Sequence, residues 1–417
     1  MSTRGEHLVR ADRGFATGGG VLARLTAPAF SKVLDQIDRQ LACGCIETRL
    51  PDGSERRLGP HAKGPKAVVR LSSWLALVRL ATSGSVGWYK AWTLGEWSSP
   101  DPVAVFELFS ANAVALGDIG RAKGPFRWLN ALAHRLRDNA PGKAKQNIAA
   151  HYDLGNDFYC AWLDATMTYS SARFDSHRES LETAQLRKIA ALLDRLDLKP
   201  GQRLLEIGCG WGTLAIEAAR RGAHVVGLTL SREQKEWADR KIAEAGLEDR
   251  IEIRLQDYRD TDEQFDALAS VEMVEAVGRR WWGTYLDSIA RNLRAGGRAA
   301  LQFISIDHRL FERYAKNADF IQTYIFPGGI LLDERQFEIL ASERGLSWQD
   351  RESLRLDYAE TLRRWRARYN EAASGGALSG FEEPFHNLWR YYLMYCEGGF
   401  RGGAIDVAQV TMEKATG

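Results

Sequence analysis

The spacing Glu206-x-Gly208-x-Gly210-x-Gly212 is the first pattern in this chain that could do chemistry. Glycines at alternate positions let the backbone turn tightly and approach a ligand with no Cβ in the way. Before them, Leu204, Leu205 and Ile207 make a short apolar run, as a buried parallel strand requires. After them, Thr213 opens a helical pattern, LAIEAARRG. Strand, glycine turn and helix is the local form of a nucleotide-binding βα unit, whose helix N-terminus directs bare N–H groups at the ligand. The spacing is not the G-x-G-x-x-G of dinucleotide turns. An acid two positions before the first glycine matches a cationic ligand better than a diphosphate.

Such a turn needs a sheet around it, and the following sequence alternates as one. Extended runs are expected at 223–228, 251–255, 265–271 and 298–304. A helix starts at a Ser231 cap and ends at Gly246, and another covers 281–293 before Gly296-Gly297. A further amphipathic helix over 179–196 leads through Lys199-Pro200-Gly201 into the glycine-turn strand. This alternation implies a parallel sheet with helices on both faces and ligands at the strands' carboxyl ends. Upstream, 45–50 and 55–58 flank a Pro51-Asp52-Gly53 turn and read as a hairpin. A strand follows at 67–71, then a helix from Leu75 broken at Gly84-Ser85-Val86-Gly87, then a helix started by Ser99-Pro100-Asp101-Pro102. Trp74, Trp88, Trp92 and Trp97 cluster here, as an apolar interface or as core. Helices are expected over 311–324, 362–369 and 385–395.

At 417 residues the chain exceeds one domain, and 45% apolar with 26% charged residues is an ordinary globular balance. A net charge of +2 argues against a nucleic-acid binder. Cys43, Cys45, Cys160, Cys209 and Cys396 contain no C-x-x-C pair and read as reduced cytosolic thiols, with no metal site. No apolar run is long enough to span a bilayer, and the first residues carry no signal core. The segment 121–145 is different: Arg121, Lys123, Arg127, Arg135, Arg137, Lys143 and Lys145 oppose a single acid, Asp138. Phe126, Leu129, Leu132 and Leu136 share one helical face, so this reads as a basic amphipathic helix able to lie on an anionic membrane, or as a linker helix with solvated charges.

The glycine run resembles motif I of class I methyltransferases, which bind S-adenosylmethionine (SAM). The chain as a whole resembles the cyclopropane fatty acid synthase family, through HYDLGNDFY (151–159), MTYSSARF (167–174), LEIGCGWGTLAI (205–216), GLTLSREQ (227–234), LQDYRD (255–260), SVEMVEAVG (270–278), YIFPGG (324–329) and YYLMYCEGGFR (391–401). The resemblance implies an α/β fold with a class I methyltransferase (Rossmann-like), mostly parallel sheet. The expected domains are an α+β N-terminal, lipid-associated domain over 1–120, the basic linker helix over 121–145 and the catalytic domain over 146–417. It implies methyl transfer from SAM to the double bond of a phospholipid acyl chain, through a carbocation and proton loss, to a cyclopropane. Some relatives end instead in a methylene branch, which a partner reductase converts to a methyl branch.

The family pattern assigns SAM to Tyr152, Tyr169 and Ser170, to Glu206, Gly208 and Gly210, to Thr229 and Gln234, and to Asp257 and Tyr258 at the adenine. It assigns the base to a bicarbonate, held here by Glu275, Tyr358 and the Ile304 amide. Two of the family's ligands depart: Ser171 stands at a Cys position and Gln302 at a His position. Ser and Gln still donate hydrogen bonds to an oxyanion, so bicarbonate remains compatible. Glu272 stands where many members have Gly, and is expected to enter the anion site as the base or to share its proton, the alternative being a helix cap. Expected partners are an unsaturated phospholipid, a second copy in a homodimer and, for a methylene product, a reductase. The expected location is cytoplasmic, peripheral on the inner leaflet. Three rival readings are a nucleic-acid methyltransferase, a non-catalytic SAM or lipid carrier, and a natural-product methyltransferase acting on small soluble acceptors.

Overall fold

The βα alternation read from the sequence folds into one sheet, and two strands that it did not announce complete it. The computed structural model describes residues 4–9, 27–60, 63–117, 154–176 and 178–416. The chain divides into two compact units. Among described residues, one holds those up to 117 with 309–327 and 373–405; the other holds 154–308, 328–372 and 406–416. Segments 309–327 and 373–405, expected within the catalytic part, thus group with the N-terminal residues.

The first unit has a four-stranded sheet, built from β1 (Cys45–Arg49), β2 (Glu55–Leu58), β3 (Lys66–Leu71) and β4 (Trp97–Ser98) in the order β2-β1-β3-β4. β1 and β2 form the expected hairpin, with Ile46 opposite Leu58. β1 runs parallel to β3. Helix α1 (Ala27–Gln40) precedes β1, and α2 (Leu75–Thr93) joins β3 to β4. The expected break in α2 is a kink at Gly84, whose φ of 58° and ψ of −138° are non-helical. Gly87 lies beside that kink because any Cβ would sit 2.0 Å from the Arg79 carbonyl. Asp101 caps α3 (Pro102–Ala111) by accepting from the Val103 and Ala104 amides. Trp88 and Trp97 are buried and stack at 4.4 Å, so these two tryptophans are core. The helix Glu383–Gly402 packs on α3 with no room between them: a Cβ on Gly398 would come within 2.4 Å of Phe106.

The second unit is the seven-stranded sheet β10-β11-β9-β8-β5-β6-β7. Its strands are β5 (Arg203–Ile207), β6 (His224–Thr229), β7 (Ile251–Leu255), β8 (Phe265–Val271), β9 (Leu293–Ile306), β10 (Leu346–Ser353) and β11 (Ile405–Lys414). β5 to β9 pair in parallel, with Glu206 between Gly227 and Ala269 in register. β10 and β11 are antiparallel, with Glu352 opposite Gln409. Helices α4 (Leu181–Arg195), α5 (Thr213–Arg220), α6 (Arg232–Ala245) and α7 (Trp282–Asn292) belong to this unit, as does α8 (Arg355–Ser374) up to residue 372. Ser180 and Ser231 accept from the Thr183 and Gln234 amides and so start α4 and α6. The core joins Leu204, Ala267, Ala269 and Ala300 to Leu214, Ala215 and Ala218 of α5 and to Ile189 and Leu192 of α4. The single helix expected over 311–324 is instead a short helix His308–Tyr314 and a π-turn Ile321–Ile325. Tyr152 and the basic segment 121–145 lie outside the described residues.

Candidate active site

The carboxyl ends of β5, β6, β7 and β8 surround one cavity, and the glycine turn forms its floor. Glu206, the acid of the turn, is 3% exposed and lines that cavity. Its Oε2 has no hydrogen-bond partner. Burial pushes its carboxyl up to about 8, against the pull of the buried Lys188 ammonium and the Ala215 amide. A buried carboxylate open to a cavity on one side is stabilised by a cation arriving there. The glycines do separate jobs. Gly208 has φ +80° and a Cβ there would lie 2.5 Å from Met273 Cγ. Gly210 has φ +52° and open space beyond its Cα, so a ligand can approach its backbone. Gly212, also left-handed, lets α6 pack close: a Cβ there would lie 2.9 Å from Ala238 Cβ.

Thr229, at the end of β6, accepts from the Ser231 amide and donates to Gln234 Oε1 at 2.8 Å. The carbonyl of Gln234 is thereby taken, and its NH2 is left as donor; both residues line the cavity. Asp257 and Tyr258 follow β7 and line it too. The Asp257 carboxylate also caps its turn through the Arg259 amide and pairs with the Arg259 guanidinium. Burial raises the Tyr258 hydroxyl to about 12. Tyr169 and Ser170 form another wall. Tyr169 sits among Tyr159, Trp162 and Trp365, and Ser170 Oγ accepts from Lys188 Nζ at 2.6 Å. Apart from Tyr152, every residue expected at the cofactor lines this one cavity. An orphaned buried carboxylate oxygen, an open glycine cradle and an amide donor after the second strand fit SAM, which presents cationic and hydrogen-bonding groups together.

Behind the far wall lies a second, polar cluster. Glu272 ends β8 with φ +48°, a left-handed conformation costing an ordinary residue roughly 1–2 kcal/mol. Only its position explains why a glycine would be at ease there. Its carboxylate does not cap a helix. Oε1 accepts from the Ser171 amide at 2.9 Å and from Gln302 Nε2 at 2.8 Å. Oε2 accepts from the Tyr358 hydroxyl at 2.8 Å. The Ser171 hydroxyl is turned away, donating to the Ala172 carbonyl, so Ser171 contributes its amide instead. Burial raises the Glu272 carboxyl, and the Ser171, Gln302, Lys188 and Tyr358 contacts oppose that rise.

Glu275, one turn on, accepts from the Ile304 amide and leaves Oε2 without a partner. Burial, and then the Glu272 charge, push its carboxyl to about 8. Of the two buried carboxyls, Glu272, with three donors, is the better stabilised as a carboxylate, and Glu275, with one, is the more readily protonated. Of Glu272, Glu275, Gln302, Ser171, Ile304 and Tyr358, Glu272 is the one that lines the cavity.

Sequence reasoning missed three members of this site. Lys188 and Gln185 are fully buried, and Gln185 Nε2 donates to the Ser170 carbonyl at 2.8 Å. Both fall on the buried face of α4 with Leu181, Ala184 and Leu192, and a charged residue on an apolar face was the available signal. Burial lowers Lys188 to about 8, while Glu272, Asp164 and Glu206 hold it up. Gln409 was missed because β11 was missed.

A parallel sheet with an acid and glycines at its first turn defines a class I SAM-dependent methyltransferase, and solved structures agree. The cyclopropane synthase MmaA2 of Mycobacterium tuberculosis matches with a TM-score of 0.61 and 32% identity, over 65% of this chain and 98% of that one. The mycolic acid cyclopropane synthase CmaA1 complexed with SAH and CTAB matches with a TM-score of 0.61 and 34% identity, over the same shares. The family is narrower than the fold. The model of mycolic acid cyclopropane synthetases matches residues 140–410, and the chain belongs to that family. Among curated relatives, tuberculostearic acid methyltransferase UfaA1 of Mycobacterium tuberculosis is 41% identical over 80% of both chains. The cyclopropane-fatty-acyl-phospholipid synthase of Escherichia coli is 34% identical over 81% of this chain and 85% of its own.

Proposed function

We propose that this methyltransferase adds the methyl of SAM to the double bond of an unsaturated phospholipid acyl chain and closes a cyclopropane ring, with Glu272 as the base. The observation that carries the reading is the Glu272 carboxylate, seated on three hydrogen-bond donors and exposed to the cofactor cavity. SAM supplies an electrophilic methyl on a sulfonium. Glu206 holds the cationic end of that donor, and Met273, Ala276 and Val277 give the wall an apolar stretch. The alkene π pair forms the new carbon–carbon bond and leaves a cation on the neighbouring carbon. A dry wall without a nucleophile keeps that cation from being trapped. Glu272 then takes a proton from the added methyl, and the released C–H pair closes the ring. Similarity to the Escherichia coli enzyme supports a phospholipid substrate.

A second reading is favoured by similarity to the tuberculostearic acid methyltransferase. In it a hydride moves from the methyl-bearing carbon to its neighbour before the methyl proton leaves, and the product is a methylene branch for a partner reductase. Incubation with SAM and unsaturated phospholipid vesicles, followed by mass spectrometry before and after mild hydrogenation, separates the two. Both products gain the same CH2, but only the methylene takes up hydrogen. No mass gain with vesicles, or turnover of small soluble acceptors alone, overturns the proposal.

On this reading Glu272 takes the place of a bound bicarbonate. Glu272→Gly, which relieves the left-handed backbone, should be inactive alone and regain activity with added bicarbonate. The same reading has the protein work peripherally on the cytoplasmic leaflet, as a homodimer. In support, 121–145 is strongly basic, and no helix among the described residues is long and apolar enough to cross a membrane. Co-sedimentation with anionic vesicles that weakens with salt, and sedimentation at the dimer mass, are the expected results.

A further inference from the structure

The anion pocket is held by a chain of side-chain amides that runs from the Glu272 carboxylate to an arginine near the surface. Gln302, on β9, uses both ends of its amide. Nε2 donates to Glu272 Oε1 at 2.8 Å and more distantly to the Ser171 carbonyl at 3.4 Å, and Oε1 accepts from Gln409 Nε2 at 3.0 Å. Gln409, on β11, is fully buried. Its NH2 is committed to two acceptors, Gln302 Oε1 and the Lys188 carbonyl at 3.3 Å. Its carbonyl accepts from Arg195 Nε, also at 3.3 Å. Arg195 is itself anchored by Glu352 Oε2 at 2.8 Å and by the Asp350 carbonyl. Every link has a donor facing an acceptor, and none can be turned over without setting like against like.

We infer that Gln409 is a positioning residue: with Arg195 behind it, it fixes the Gln302 amide so that Gln302 presents its NH2, and not its carbonyl, to Glu272. An amide is nearly symmetric in shape, so packing alone cannot choose between its two orientations. A donor facing Glu272 favours the carboxylate, whereas a carbonyl there favours the protonated acid. The relay thus sets the pH range over which Glu272 can accept a proton, and the inference rests on the proposed base role of Glu272. The other titratable groups facing Glu272 are Lys188 of α4, Tyr358 of α8 and Glu275 on its own loop. Lys188 loses its charge near 8, on the alkaline side, and does not shape the acid limb.

The test is the pH profile of kcat with SAM and unsaturated phospholipid vesicles, in Gln409→Glu, Gln409→Met and Arg195→Met. Gln409→Glu can still receive Arg195 but cannot donate, so the Gln302 NH2 turns to it and the carbonyl faces Glu272. Its acid limb should move up by about 1 pH unit, the size of one hydrogen bond to a charged group. On the falling part of the limb, below both midpoints, kcat then falls roughly tenfold and recovers as pH rises. Gln409→Met, without the added charge, should move the limb in the same direction by less, and Arg195→Met by less again. The KM for SAM stays near the wild-type value in all three. A merely structural role would lower the melting temperature, or lower kcat equally at every pH; either result with an unmoved limb overturns the inference. Should Gln409→Glu fail to fold, the two methionine variants carry the same test. Glu272→Gln separates the two ideas. If it keeps its activity, the base role falls and the relay with it. If it is inactive while the Gln409 variants keep the wild-type profile, the relay alone falls.

Discussion

The glycine cradle and the pocket behind Glu272 lie on adjacent strands, yet they are built by opposite means. The cradle comes from one continuous stretch, Glu206 to Gly212, and its polar atoms are left open: Glu206 Oε2 has no partner. The pocket around Glu272 draws its donors from Ser171, 101 residues away, from Gln302, 30 away, and from Tyr358, 86 away, and it fills three of the carboxylate's acceptor positions. The first waits for a charged ligand to complete it. The second already has its donors in place. A site that binds and releases a cofactor needs the former, and a base that must be held in place until it accepts a proton needs the latter.

The comparison can be broken most sharply at its two carboxylates. Glu272→Gln should lower kcat by about 10²–10⁴-fold, the usual worth of a positioned base, and leave the KM for SAM near wild type. Steady-state kinetics on vesicles would check it; a matching rise in KM would show that the two regions are one. Glu206→Gln should do the converse. It removes the carboxyl that an arriving cation would draw into its ionised form and should raise the KM for SAM by roughly 10–100-fold, with a smaller effect on kcat. Titration calorimetry with SAM reads this directly.

Gly208→Ala tests where the regions touch, because the new methyl would press on Met273, the residue after Glu272. Left-handed backbone and overlap together should cost about 1–3 kcal/mol of stability and raise KM and lower kcat by a few-fold each, readable by thermal melts and kinetics.

The smallest effect is a matter of sign. Glu275 rises from 4.5 to about 8 on folding, so its contribution to stability is present below about 4.5 and is lost as pH climbs toward 8. Glu275→Gln does not titrate. Its melting temperature relative to the wild type should therefore increase steadily across that window, and a flat difference would show that Glu275 is not held protonated.

The same contrast governs what could be read without coordinates. The cradle was legible because its meaning is local: an apolar run, alternating glycines and a helix pattern lie side by side. The parallel strands from 203 to 306 were legible for the same reason. Resemblance to a family brought Ser171, Glu272, Glu275, Gln302, Ile304 and Tyr358 together, and the structure seats three of these on Glu272 and one, Ile304, on its neighbour Glu275. It did not reveal that Ser171 acts through its amide, since the hydroxyl's choice of the Ala172 carbonyl is decided by packing. Lys188 hid in a helix that looked amphipathic in the ordinary way. β10 and β11 hid because they are antiparallel additions after long helices, and because Gln409 and Thr411 of β11 are buried beside Ala408, Val410 and Met412 although their types read as a solvent face.

The place of β11 sets the order in which the molecule can become active during synthesis. It lies between β10 and β9, yet it is made about two hundred residues after β5. A chain leaving the ribosome can lay down the cofactor strands early, but the flank of the sheet that orients Gln302 stays open until 405–414 emerges. Pairings so distant along the chain are slow to form and leave strand edges exposed meanwhile. On the proposed reading of Glu272 and Gln409, the strand that completes the site is therefore the last one to be synthesised.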